Sequence, residues 1–150
     1  MEIVGVTNNQ GSQNRELWYE LVILENKSTE IANLGNKWLF GSRDRSSAHP
    51  SNLTCALRSA QEDEDDIVFE NVDILPGEKF HIYSGNDAEN QLTLYGGKGI
   101  VATTKFIWSD KGETLTLATM DGNVIHSYSY GDNPRNIFEE SSTNLSTLFE

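Results

Sequence analysis

Residues 113–130 read Glu113-Thr114-Leu115-Thr116-Leu117-Ala118-Thr119-Met120-Asp121-Gly122-Asn123-Val124-Ile125-His126-Ser127-Tyr128-Ser129-Tyr130. Threonine alternates with leucine in the first half. A period of two sends one residue type to each face of a strand. Asp121-Gly122, followed by Asn123, supplies residues that tolerate the left-handed backbone of a tight hairpin. Beyond the turn, Val124, His126, Tyr128 and Tyr130 share one parity, and Ile125, Ser127 and Ser129 the other. Two antiparallel strands are expected here.

The same pattern recurs upstream. Ile3, Val4 and Val6 make a short first strand, ended by a turn at Asn8-Asn9-Gln10-Gly11. Residues 16–25, ELWYELVILE, are apolar on both parities, as in a strand covered on both sides. Ile31 to Phe40 reads as a glycine-interrupted strand pair anchored by Trp38, Leu39 and Phe40. Ile67 to Asp73 alternates. Leu75-Pro76-Gly77-Glu78 places Pro and Gly where a type II turn favours them. Lys79 to Tyr83 carries Phe80 and Ile82 on one face. Ser84 to Glu89 reads as a loop and Leu92 to Tyr95 as a short strand. Gly96-Gly97-Lys98-Gly99 closes it as a turn, without the spacing of a phosphate loop. Ile100 to Trp108 is expected to be extended. Many short strands between Gly, Asn, Asp and Ser clusters indicate an all-β sandwich or barrel.

The chain has 150 residues, one domain's worth. Acidic residues number 23 against 11 basic ones, a net charge of -12. That charge disfavours nucleic acid and anionic membranes, since Lys37, Arg43 and Arg45 form only a thin basic group. No apolar run approaches the length of a membrane span. There is neither a signal peptide at Met1-Glu2-Ile3-Val4-Gly5 nor a prenylation box at Leu148-Phe149-Glu150, so a cytoplasmic protein is expected as written. Cys55 is the single cysteine, which leaves no intramolecular disulfide and no CxxC motif.

Two segments break the strand pattern. Residues 41–66 read as a long insert loop ending in Glu62-Asp63-Glu64-Asp65-Asp66, whose like charges repel and stay solvated. Residues 132–150 form a tail after Asp132-Asn133-Pro134. Phe138, Ser142, Leu145 and Phe149 recur there at near-helical spacing, with Ile137 and Leu148 adjacent. A short amphipathic helix is expected, docked on residues 1–131 or presented to a partner.

Four stretches together resemble the lamin-tail domain family. Glu20-Leu21-Val22-Ile23-Leu24-Glu25-Asn26 is similar to its Glu-aromatic-Val-x-Leu-x-Asn element, with Leu21 where an aromatic is usual. Leu34-Gly35-Asn36-Lys37-Trp38-Leu39 is similar to its Leu-x-Gly-Trp element, with Lys37 as one extra residue. Ile74-Leu75-Pro76-Gly77-Glu78 and the strand after it match its Leu-x-Pro-Gly-Glu turn. Trp108-Ser109-Asp110-Lys111-Gly112-Glu113, continuing through Asp121-Gly122 to Tyr128 and Tyr130, resembles its ending, with Glu113 in place of Asp. The resemblance spans residues 1 to about 131. It implies an immunoglobulin-like β-sandwich of about nine strands and a non-catalytic interaction module with no cofactor. The chain has no heptad rod, basic flank or prenylation box, so it resembles a prokaryotic-type or stand-alone member rather than a nuclear lamin.

No nucleophile elbow or zinc-binding helix occurs, and His49, His81 and His126 fall on separate segments, the latter two expected to face solvent. Trp18, Trp38 and Trp108 are expected in the core. The glycosylation sequons at Asn26, Asn52 and Asn144 read as chance. The expected function is protein interaction or scaffolding, with a foreign partner or a second copy bound through sheet edges or the tail. The candidate partner-binding residues are Glu62, Asp63, Glu64, Asp65 and Asp66 in the insert, and Ile137, Phe138, Leu145, Leu148 and Phe149 in the tail. The alternative is an adhesion or carbohydrate-binding domain, with the acidic run as a calcium ligand set.

Overall fold

The computed structural model describes residues 1–9, 13–42, 67–109 and 111–131. Among these are ten strands and one α-helix. The strands are β1 (Glu2–Asn9), β2 (Tyr19–Glu25), β3 (Ala32–Asn33), β4 (Lys37–Gly41), β5 (Ile67–Val68), β6 (Asp73–Ile74), β7 (Lys79–Ser84), β8 (Gly99–Thr103), β9 (Glu113–Thr119) and β10 (Val124–Tyr130). The helix, α1, spans Ala88–Tyr95. One four-stranded sheet runs β1-β2-β7-β8, a second runs β10-β9-β4-β5, and β3 pairs with β6 in a small third sheet.

The alternation in the sequence becomes the two-sided pleat of these sheets. Leu115 and Leu117 point inward and are fully buried, while Thr114 and Thr116 point outward and meet Ser129 and Ser127 of β10. Val22 and Leu24 of β2, Phe80 and Ile82 of β7, and Leu39 of β4 join them in one core shared by both large sheets. Each fully buried Leu or Ile of this kind contributes about 1.5–3 kcal/mol. Trp38 and Phe40 share the opposite parity of β4 and stack with ring centroids 4.1 Å apart. Both faces of that strand are therefore covered, and Trp38, Leu39 and Phe40 are all buried. Trp108 is buried as expected. Trp18 instead lies half-buried at a sheet end, edge-on to Phe106 with the Arg15 guanidinium over its ring.

Several local readings need correction. The first strand is longer than expected and runs to Asn9. Residues 15–17 form a 3-10 turn rather than strand, held by Asn14 Oδ1, which accepts from the Glu16 amide. Residues 67–73 are not one strand: β5 joins β4, and β6 joins β3 in another sheet. Extended backbone after Ile100 ends at Thr103. The largest departure is α1, which takes in the last two residues of the expected loop, Ala88 and Glu89, and the expected strand at Leu92–Tyr95. Ala, Glu, Gln and Leu are good helix formers. Gly96, at φ 71, ends the helix in the left-handed conformation, its amide bonded to the Leu92 carbonyl. The helix has a topological role. β7 and β8 are parallel, and a parallel pair cannot be joined by a tight turn.

Candidate binding groove

Each large sheet has two edges, and they meet differently on the two sides of the molecule. On one side β1 and β10 are tied together. The Ile3 amide donates to Nδ1 of His126 at 3.0 Å, and Nε2 of the same ring lies 3.8 Å from the Glu2 carboxylate. On the other side, the outer strands β5 and β8 leave a groove of about 660 Å³. Its walls are residues 67–72, running from β5 toward β6, and residues 97–102, the start and body of β8.

Polar and apolar groups share the walls about equally. Phe69 and Phe80 meet edge-to-face with ring centroids 6.0 Å apart, beside Ile67, Ile100 and Ala102. Among the described residues, two charged side chains line the groove, Glu70 and Lys98. Glu70 is exposed. The Lys98 ammonium donates to Glu78 Oε1 at 2.8 Å and to the Asp73 carbonyl at 2.6 Å. That hydrogen bond, assisted by the Leu75 amide, holds the Glu78 carboxyl below the usual range. The Lys98 charge is thus already met by a carboxylate.

The outer face of the β1-β2-β7-β8 sheet carries an aromatic group. The ring of His81 stacks on Tyr95 of α1, with centroids 3.5 Å apart and planes 4° from parallel. Its Nδ1 lies 2.9 Å from the Tyr83 hydroxyl. Burial, with the nearby Lys79 charge, lowers the His81 pKa to about 4. Burial, with Tyr19 and Tyr95 nearby, pushes the Tyr83 hydroxyl up to about 12. Neither histidine simply faces solvent as expected: His81 lies under a tyrosine, and His126 accepts a backbone hydrogen bond.

Three polar knots hold the segments around the core. Asn26 is fully buried. Its side-chain amide nitrogen donates to the carbonyls of Glu30 and Ile74 at 2.7 and 2.8 Å. Its side-chain oxygen accepts from the amide and hydroxyl of Ser28. Its backbone amide donates to the Glu78 carbonyl, and its own carbonyl accepts from Gly77. Glu20 is 1 % exposed, and its carboxylate accepts from the Ser84 hydroxyl and from the amides of Ile107 and Trp108. The Tyr130 hydroxyl donates to the Ser109 carbonyl, while Glu113 accepts from the Ser109 amide. The Asn26 side chain is saturated inside the protein, so that sequon offers no accessible amide. Asn52 and Asn144 lie outside the described residues.

All ten candidate partner-binding residues lie outside the described residues: Glu62, Asp63, Glu64, Asp65 and Asp66, and Ile137, Phe138, Leu145, Leu148 and Phe149. Among the described residues, no group of three or more His, Cys, Asp or Glu side chains is placed to hold a metal ion, and no helix is long and apolar enough to cross a membrane. The groove between β5 and β8 was missed from sequence because its walls are 30 residues apart in the chain. The local signal was the apolar alternation of 67–72 and 100–102, which also describes ordinary core strands. No family profile matches the chain, and no curated protein is significantly similar to it.

Proposed function

We propose that this chain is an immunoglobulin-like β-sandwich of the lamin-tail type that works as a non-catalytic protein-interaction module. The observation that carries the reading is where the resembling residues go. Glu20 bonds the amide of Trp108, Asn26 bonds the Leu75-Pro76-Gly77-Glu78 turn, and Glu113 and Tyr130 both bond Ser109. The first two contacts join residues matched in separate stretches, and the third closes the last stretch on itself. A chance match scattered over surface loops has no reason to do so. Structural joints use these polar groups for folding, and the exposed edges are left for partners.

An interaction module of this kind binds through surface shape and backbone edges rather than through a reactive centre. The carbohydrate-binding alternative draws less support, since Tyr83 is 4 % exposed and Tyr95 has one ring face occupied by His81. The test is a random-peptide display library panned on the full chain, with each enriched peptide titrated by amide NMR. Saturable binding with shifts along a sheet edge is the expected result. A chain that enriches no peptide, or that turns over ester, glycoside or phosphodiester substrates, would overturn the reading.

A further inference from the structure

We propose that the groove between β5 and β8 accepts an extended cationic segment of a partner protein as an added strand on β8. This deepens the interaction-module reading and rests on it. The backbone geometry supplies the first argument. The His81 amide donates to the Lys98 carbonyl, and His81 pairs with Gly99 in the parallel β7–β8 ladder. In a parallel ladder, alternate residues of a strand bond to one neighbour. Lys98 and Ile100 therefore bond toward β7, and Gly99 and Val101 turn their amides and carbonyls outward. Among the described residues β8 has no second strand partner, so this outward row is available for pairing.

The second argument is the groove itself. A guest strand on β8 sends alternate side chains toward the core side, where half-buried Ile100 and Ala102 offer apolar contact above the buried Ile67, Phe69 and Phe80. Its volume of about 660 Å³ suits a bound segment rather than a single trapped water. The third argument is charge. With Lys98 held by Glu78, the uncompensated charge in the lining among the described residues is Glu70, and exposed Asp73 follows at the β6 end. The whole chain adds a field of -12. Two copies meeting edge to edge would bring like fields together, whereas a basic segment is drawn in. The guest is thus an extended stretch with apolar residues alternating with Lys or Arg.

The experiment uses the full chain and two short synthetic peptides, one alternating lysine and valine, the other glutamate and valine. Amide NMR locates the site and calorimetry gives the affinity. The lysine peptide is expected to shift Gly99, Val101 and Glu70, and to bind at least about tenfold more tightly than the glutamate peptide at low salt. Val101→Pro removes an outward amide that β7 does not use, and is expected to weaken binding by about tenfold or more while the other strands keep their spectrum. Glu70→Lys provides an independent arm and is expected to narrow or reverse the preference between the peptides. Equal binding of both peptides, unchanged affinity in Val101→Pro, or shifts confined to β1 and β10 would overturn the groove assignment. So would concentration-dependent dimerisation abolished by Val101→Pro, since the edge then serves a second copy. Library peptides that bind elsewhere would leave the module reading standing; a chain that binds none of them would remove both.

Discussion

His81 shows how a single side chain acquires properties that its neighbours in sequence do not predict. Its ring is held between Tyr95 and the Tyr83 hydroxyl, and burial lowers its pKa from 6.5 to about 4. Between those values the unfolded chain holds a proton that the folded chain does not. Its contribution to stability is therefore fully present above about pH 6.5 and lost as pH falls toward about 4. Solvent screening of the partly exposed ring reduces the full effect of that shift, and we expect urea unfolding to show a loss on the order of 2 kcal/mol across that window that is absent from His81→Phe. Parallel curves for the two proteins would show that the ring is hydrated in solution. Asn26 makes the opposite case, a polar residue buried because every group is satisfied. Asn26→Ala removes four side-chain hydrogen bonds from a fully buried position, so a cost of about 3 kcal/mol is expected in the same assay. The sequence marks Asn26 as a turn residue; its role in tying residues 26–30 to 74–78 comes from the pairing of β3 with β6.

At the scale of elements, the turns were legible and the connections were not. The Pro76-Gly77 turn forms as read, with the Glu78 amide bonded to the Leu75 carbonyl and Gly77 at φ 80. Asp121-Gly122 joins β9 to β10, with Gly122 at φ 99. Gly112 also has positive φ, 102, and a Cβ there would lie 2.5 Å from the Tyr130 carbonyl oxygen, whereas one at Gly77 meets nothing within 4 Å. Gly77→Ala is accordingly expected to cost about 1–2 kcal/mol from the backbone alone. Gly112→Ala is expected to cost at least about 1 kcal/mol more, because backbone must move. Thermal melts of the two variants compare these costs, and an equal loss would contradict the clash. The misread element, α1, has the alternating string Leu92-Thr93-Leu94-Tyr95, which fits a strand. It becomes a helix because β8 must return parallel to β7 and Gly96 stops the helix one turn before that strand.

For the whole molecule, charge and topology set the behaviour. A net charge of -12 on a chain this size is self-repelling, and the compact state feels it more than the unfolded one. Raising salt from about 20 to about 200 mM is expected to stabilise the fold by about 1 kcal/mol through screening. A midpoint in urea that falls with salt would show that attractive pairs such as Lys98–Glu78 dominate instead. The sequence by itself determined the β class, the inward positions of Leu115, Leu117, Phe80 and Ile82, the Pro76-Gly77 and Asp121-Gly122 turns, and the central place of β2. These follow from local rules of periodicity, turn chemistry and burial. Only the tertiary structure decided the partners: β5 with β4 but β6 with β3, Glu20 with Trp108, and His126 with Ile3 across the closed side. The groove belongs to this second group. Among the described residues one pair of sheet edges is tied and the other is not, and that depends on contacts between residues far apart in the chain.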